Sequence, residues 1–217
     1  MGVAIGALSG AGPGAPLTAA DQAGVVYTLS AGQLGVRDIE FDLPDGVTCG
    51  DLDGELVGAT CDDDAGEDKL VVAGPFVVDL VARTATPSLA EVRIPAGTYR
   101  RVDVRVEPTP ALDGAALAAT LAFSWDATPS TVALRLRLNE DIRTEAPGGV
   151  VVAAGDDLVA RFVIDGWLAG ADVVGCLEAE GAAPGDDAVI DDDAGGCGDL
   201  EDAIKENFKE SADLGDS

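Results

Sequence analysis

The chain has 217 residues, enough for one large domain with its own core and no structural metal. Its hydrophobic content of 47% leans on Ala and Val, with only 4% aromatic, which suits closely spaced sheets better than a cavity for a bulky cofactor. With 40 acidic and 13 basic residues the net charge is −27, which disfavours nucleic acid and anionic membranes, and the lack of histidine excludes Ser-His or Cys-His triads and His-ligated zinc or haem. An acidic surface keeps a protein soluble, and adaptation to salt gives the same composition.

Residues 1–16 are apolar, uncharged and too short to span a bilayer. Within them Ala7-Leu8-Ser9-Gly10 resembles the end of a lipoprotein signal, with Ala11 where the lipidated cysteine would stand. Residues 1–20 are therefore expected to be a flexible segment, either an export-signal remnant or a tether, ahead of one domain over residues 21–217.

Alternation of apolar and polar residues begins at residue 25. Residues 25–30 and 34–43 read as strands, closed by the turn Leu43-Pro44-Asp45-Gly46. Residues 44–69 follow as an acidic excursion. Residues 70–73 and 76–81 read as one strand broken at Gly74-Pro75. After Pro95-Ala96-Gly97, the residues Val102, Val104 and Val106 share one strand face, and Arg101, Asp103 and Arg105 the other. Val132, Leu134, Leu136 and Leu138 repeat the pattern. Residues 150–154, 158–164 and 171–180 add further strands. Many short strands between turns, with no helical period separating them, predict an all-β antiparallel sandwich.

The C-terminal part differs. Leu200, Ile204 and Phe208 recur every four residues, Asp199 suits an N-cap, and Lys205 and Lys209 complement the helix dipole. A short helix over residues 199–211 is expected to lay that stripe on the sandwich.

Cys49, Cys61, Cys176 and Cys197 form two local pairs without CxxC spacing. Two local disulfides, Cys49 with Cys61 and Cys176 with Cys197, are the economical reading, and they imply an oxidising, extracytoplasmic compartment. Each would bound an acidic loop, residues 44–69 and 181–198. The pentapeptide Asp-Asp-Asp-Ala-Gly stands in both, at 62–66 and 191–195. Hard cations take several oxygen ligands, so Asp62, Asp63, Asp64, Asp191, Asp192 and Asp193 are candidate calcium ligands. The competing reading is a solvated acidic hairpin tip. Asp51-Leu52-Asp53-Gly54-Glu55 begins like an EF-hand, but Leu56 replaces the required glycine. For glycoside hydrolysis the best carboxylates are Glu140, Asp141 and Glu145, with Trp125 and Trp167 as the available sugar platforms.

The run Gly74-Pro75-Phe76-Val77-Val78-Asp79-Leu80, then Pro87-Ser88-Leu89, then Ile94 to Val102 with Pro95-Ala96-Gly97-Thr98-Tyr99, resembles an uncharacterised family of secreted, often lipid-anchored bacterial domains with a "VDL … PAGTY" core. The likeness is close over residues 74–106 and loose over 25–165. It implies a transthyretin- or prealbumin-like sandwich, of the broader immunoglobulin-like kind, and transfers no catalytic residue. Together these readings lead to the expectation of a non-catalytic extracytoplasmic module with no cofactor. Its role would be structural or partner-binding, towards a protein, a surface polymer or further copies of itself, with no nucleic acid and no membrane insertion. The alternative is a calcium- or glycan-binding module.

Overall fold

A computed structural model describes residues 2–8, 16–52, 56–63, 68–191 and 197–216. Among these residues the chain is mostly β, with two sheets and two short helices, a composition that fits a sandwich. The strands in chain order are β1 (Gly2–Leu8), β2 (Thr18–Ala20), β3 (Val26–Asp42), β4 (Thr60–Asp62), β5 (Lys69–Asp79), β6 (Thr84–Thr86), β7 (Gly97–Val106), β8 (Leu117–Trp125), β9 (Thr128–Leu136), β10 (Glu140–Val152), β11 (Asp157–Val163), β12 (Asp187–Asp191) and β13 (Ala212–Asp216). Helix α1 (Val173–Ala179) precedes β12, and α2 (Gly198–Glu210) precedes β13.

The larger sheet runs β10-β7-β3-β8-β9-β12, with β2, β4, β5 and β6 joined beside this path. The two strands expected over residues 25–43 are one 17-residue strand, β3, interrupted by two irregularities of register, between Leu29 and Ala31 and between Val36 and Asp38. Its first half pairs with β8, from Thr28 to Leu34, and its second half with β7, from Val36 to Phe41. β5 runs along the opposite edge from Gln33 to Asp42. At the seam, Gly35 N–H donates to the Ala116 carbonyl (2.7 Å) and Glu107 N–H donates to the Gly35 carbonyl (3.2 Å). A Cβ on Gly35 would lie 2.6 Å from the Glu107 carbonyl oxygen, so only glycine lets the three strands meet.

Alternation does what the sequence predicts at the core. Val102, Val104 and Val106 of β7 and Val132, Leu134 and Leu136 of β9 are buried. Phe41 and Tyr99 pack edge to face at 6.2 Å. The Tyr99 phenol, itself buried, donates to the Pro95 carbonyl (2.8 Å), which ties the Pro-Ala-Gly turn to the strand it starts. Burial pushes this phenol well above the ordinary tyrosine range.

Several elements depart from the expectation. Gly2–Leu8, expected within a flexible segment, is a strand with Val3, Ile5 and Ala7 buried on alternate positions. It pairs in parallel with β11, which pairs on its other side with β13 to make the smaller sheet. β12, inside the second acidic loop, pairs in parallel with β9. The sheets are therefore mixed and not antiparallel throughout. Residues 173–179, expected as a strand, are helical. Val173, Cys176 and Leu177 are buried at helical spacing, and the Asp172 carboxylate accepts from Gly175 N–H (2.9 Å) as an N-cap. Helix α2 begins with Cys197 at the cap, without a side-chain cap bond, in place of Asp199.

Gly35→Val is expected to cost about 1–3 kcal/mol by overpacking and to lower the melting midpoint by roughly 5 °C. Gly148→Ala, where an added Cβ meets no atom within 4 Å, is expected to leave it within about 1 °C. Circular dichroism melts of the two variants check this.

Candidate functional site

The outer face of the sheet around β3 carries a lattice of charge. Residues of β3 that point away from Ile39 and Phe41 lie in register with their counterparts on β7 and β10. Asp38 stands opposite Arg105, which stands opposite Asp141, and Glu40 opposite Asp103, which stands opposite Arg143. Asp42 stands opposite Lys69 on β5. The side chains use this register. Arg105 pairs with Asp141 (2.9 Å) and donates to Asn139 Oδ1 (3.0 Å). Lys69 pairs with Glu40 (3.4 Å), and Arg37 reaches both Asp38 and Glu107 (3.3 Å each).

Asp103 is the centre of this lattice. It is 8% exposed and takes Arg101 from its own strand and Arg143 Nε from β10 (3.2 Å). Exposed ion pairs contribute about 0–1 kcal/mol each, so the rim pairs hold register more than they stabilise. A nearly buried carboxylate between two guanidiniums is a stronger contact. Burial raises the Asp38 carboxyl above its ordinary value, against the opposing pull of Arg37. Arg105 Nε is buried and has no hydrogen-bond partner among the described residues. Sequence reasoning identified the alternating Arg101, Asp103 and Arg105 but not the lattice, because the partners come from strands paired far along the chain.

The acidic loops are held by the two local disulfides, Cys49–Cys61 and Cys176–Cys197. In the first, Asp62 ends β4 opposite Lys69, and both Asp62 and Asp63 are exposed. Neighbouring acids serve as local acceptors. Asp51 accepts from the Thr48 hydroxyl (2.7 Å) and backbone N–H (3.0 Å), which hold its carboxyl below the ordinary range. Asp68 accepts from Cys49 N–H (3.2 Å). In the second loop, Asp191 ends β12 opposite Arg135. Asp64, Asp192 and Asp193 lie outside the described residues. Among the described residues, no three Asp, Glu or Cys side chains converge in a group able to hold a metal ion.

The carboxylates considered for hydrolysis have separate settings. Glu140 and Asp141 are consecutive on β10 and point to opposite faces. Glu140 pairs with Lys209 of α2 (2.6 Å), Asp141 with Arg105, and Glu145 is exposed opposite Arg101. The tryptophans are not surface platforms. Trp125 is buried beside Phe123 (6.3 Å), and Trp167 is fully buried against Phe208 (5.1 Å). A low content of aromatics leaves each ring for the core.

Leu200, Ile204 and Phe208 of α2 are buried, and Phe208 also stacks on Phe162 of β11 at 4.7 Å. Asn207 fixes the helix by donating to the Trp167 and Ala169 carbonyls (3.2 and 2.8 Å). The Cys176–Cys197 bond joins α1 to the start of α2 beside an open cleft of about 320 Å³, lined by Gln22, Ala171, Asp172 and Leu200 among others. The Asp172 carboxylate there already caps α1.

The geometry thus defines a disulfide-bonded, mostly β protein in which most of the basic side chains are paired with carboxylates. No protein family, curated protein or solved structure matches the chain. Among the described residues no helix is long and apolar enough to cross a membrane.

Two outcomes are expected. Phe208→Ala removes a ring fully buried between Phe162 and Trp167, and should cost about 3–5 kcal/mol, or roughly 10 °C in melting midpoint. Asp38 has a raised carboxyl, so the folded chain holds that proton more tightly than the unfolded chain. Its contribution is therefore present below the ordinary Asp value of about 4 and is lost as pH rises through the raised value. Asp38→Asn should melt above the parent at pH 7, with the gap closing on acidification below about pH 4.

Proposed function

We propose that this chain is a non-catalytic extracytoplasmic module, a β-sandwich of the transthyretin- or immunoglobulin-like kind, with a structural or partner-binding role in a cell-surface assembly. One observation carries this reading. Among the described residues, the outer face of β3, β7 and β10 carries a connected set of charged side chains, and there the carboxylates pair with arginines and with Lys69, within and across strands. Such a face is charged and internally paired, and its chemistry is that of a scaffold or a contact surface. The two disulfides support an oxidising compartment. The acidic balance of the whole chain favours a basic protein or a neutral surface polymer as partner.

Protease treatment of intact source cells, followed by non-reducing immunoblots, tests the location. The chain is expected to be cleaved from outside and to carry both disulfides. A reduced chain protected inside the cytoplasm would overturn the reading. So would a glycosidase activity of the purified protein that vanished in the Glu140→Gln, Asp141→Asn variant.

A further inference from the structure

The larger sheet turns two faces of opposite kind outward. On β3, β7 and β10 the rows Asp38-Arg105-Asp141 and Glu40-Asp103-Arg143 are charged at all six positions. The other face belongs to the first half of β3 with β8 and β9, and register sets three rows across it. Thr28, Ala122 and Thr131 form the first, Ala31, Thr120 and Ala133 the second, and Gln33, Ala118 and Arg135 the third. All nine positions lie on the side of their strands away from the buried Leu29, Leu121 and Leu134. Only Arg135 among the nine is charged, in a chain with 24% charged residues and a net charge of −27. Apart from Gln33 and Arg135, every side chain there is an alanine or a threonine. Thr28, Ala31, Gln33 and Arg135 are exposed, and the rest are half-buried among their neighbours.

The third row continues on both flanks. Asp79 of β5 stands opposite Gln33, and Asp191 of β12 opposite Arg135. An open groove of about 290 Å³ crosses the row, lined by Gln33, Asp79, Ala118, Thr120 and Arg135 among others. Asp79 Oδ1 accepts from the Val81 and Ala82 N–H groups (3.0 and 2.8 Å), which holds that carboxylate at the edge of the groove. The contact of Arg135 with Asp113 is long (3.8 Å) and exposed. Across the strands the row runs acid, amide, alanine, guanidinium, acid, with β8 at its centre. A two-fold axis along β8 exchanges its flanks and makes the row complementary to its own image. Arg135 of one copy comes over Gln33 of the other, beside Asp79, and Asp191 meets that Asp79 with Arg135 between them. Ala118, Thr120 and Ala122 face their own counterparts on the axis, and such small side chains let two sheets pack closely and aligned.

We propose that this face is the interface for a second copy of this chain, packed sheet to sheet about a two-fold axis along β8. Two chains of −27 repel one another wherever carboxylates meet. The three rows bring none to the contact, and the flanks bring acid against guanidinium. The contact is isologous, so each complementary pair occurs twice. At about 4.8 Å between strands and 3.4 Å per residue, the face spans roughly 20 by 20 Å, or about 400 Å² per copy. Two such faces bury about twice that area, the size of a weak, transient contact. Dilute chains therefore stay single, and crowded chains pair. The inference names a partner for the surface-assembly reading and rests on that reading only for its setting.

Sedimentation equilibrium of the full-length chain at about 0.15 M salt gives the mass, and nitrogen-15 spectra over the same concentrations give the face. A dimer is expected, its fraction rising through roughly 0.1–1 mM, with amide shifts gathered in the first half of β3, β8 and β9. Arg135→Glu should weaken it about tenfold or more. Gln33→Arg should weaken it too, since guanidiniums then face one another, although it lowers the net negative charge and would help if net charge alone governed. The double variant Gln33→Arg, Arg135→Glu should return to within about threefold of the parent. Chains that remain monomeric at about 1 mM overturn the second copy as partner. So do monomers whose β8 and β9 amides shift only when a soluble neutral polysaccharide is added. A dimer whose shifts lie elsewhere overturns the face, and a dimer strengthened by Gln33→Arg overturns the two-fold arrangement. If Arg135→Glu fails to fold, Gln33→Arg decides alone. A cytoplasmic location would defeat the surface role and leave this result standing, and absence of a dimer would leave the location result standing.

Discussion

The architecture depends on one strand having to serve two sets of partners. β3 is long enough to pair with β8 along one half and β7 along the other, while β5 backs the join. β10 is placed through β7, and β9 and β12 through β8. The handover is possible because Gly35 carries no side chain where the Glu107 and Ala116 carbonyls approach. Nearly all of these pairings join residues far apart in sequence, so the chain gains little from local contacts until β3 has its neighbours.

Charge is the second constraint. A chain of −27 repels itself on compaction. The outer face of β3, β5, β7 and β10 gathers Arg37, Lys69, Arg101, Arg105 and Arg143 among the carboxylates of the same strands. Repulsion is thus relieved where neighbouring strands lie about 4.7–4.9 Å apart, a typical spacing. Elsewhere acids form isolated pairs, such as Glu140 with Lys209, or serve as local acceptors. Asp21 is buried and accepts from the backbone of Ala23 and Val25 and from the Tyr27 phenol, while burial and that carboxylate drive the phenol far above its ordinary value.

What was legible in the sequence was what depends on local period. The alternating valines of β7, the apolar face of β9 and the stripe of α2 all read directly, because burial of one face imposes its spacing on the letters. The nearness of the cysteines in each pair likewise indicated the bonds that the structure contains. β1 was obscured because glycines and alanines fill its polar positions, leaving no contrast between faces. α1 has only seven residues, and Val173-Val174 at its start look like a strand. Register was not legible at all, and the charged lattice is a product of register. With 40 acids, a run such as Glu140, Asp141, Glu145 carries no signal of its own. Only the pairing of Glu140 with α2 and of Asp141 with β7 shows where each is used.

The Cys176–Cys197 bond has one more effect. It closes a ring of chain that contains the end of α1, all of β12 and the acidic stretch before α2. A break in the backbone anywhere within that ring leaves a single covalent molecule, with α2 still clasped beside α1 and its buried face still on Phe162 and Trp167. The backbone within the ring can therefore be clipped, or lengthened by inserted sequence, without freeing the C-terminal helix. It is a stretch of chain in which sequence can drift while the rest of the domain holds its shape.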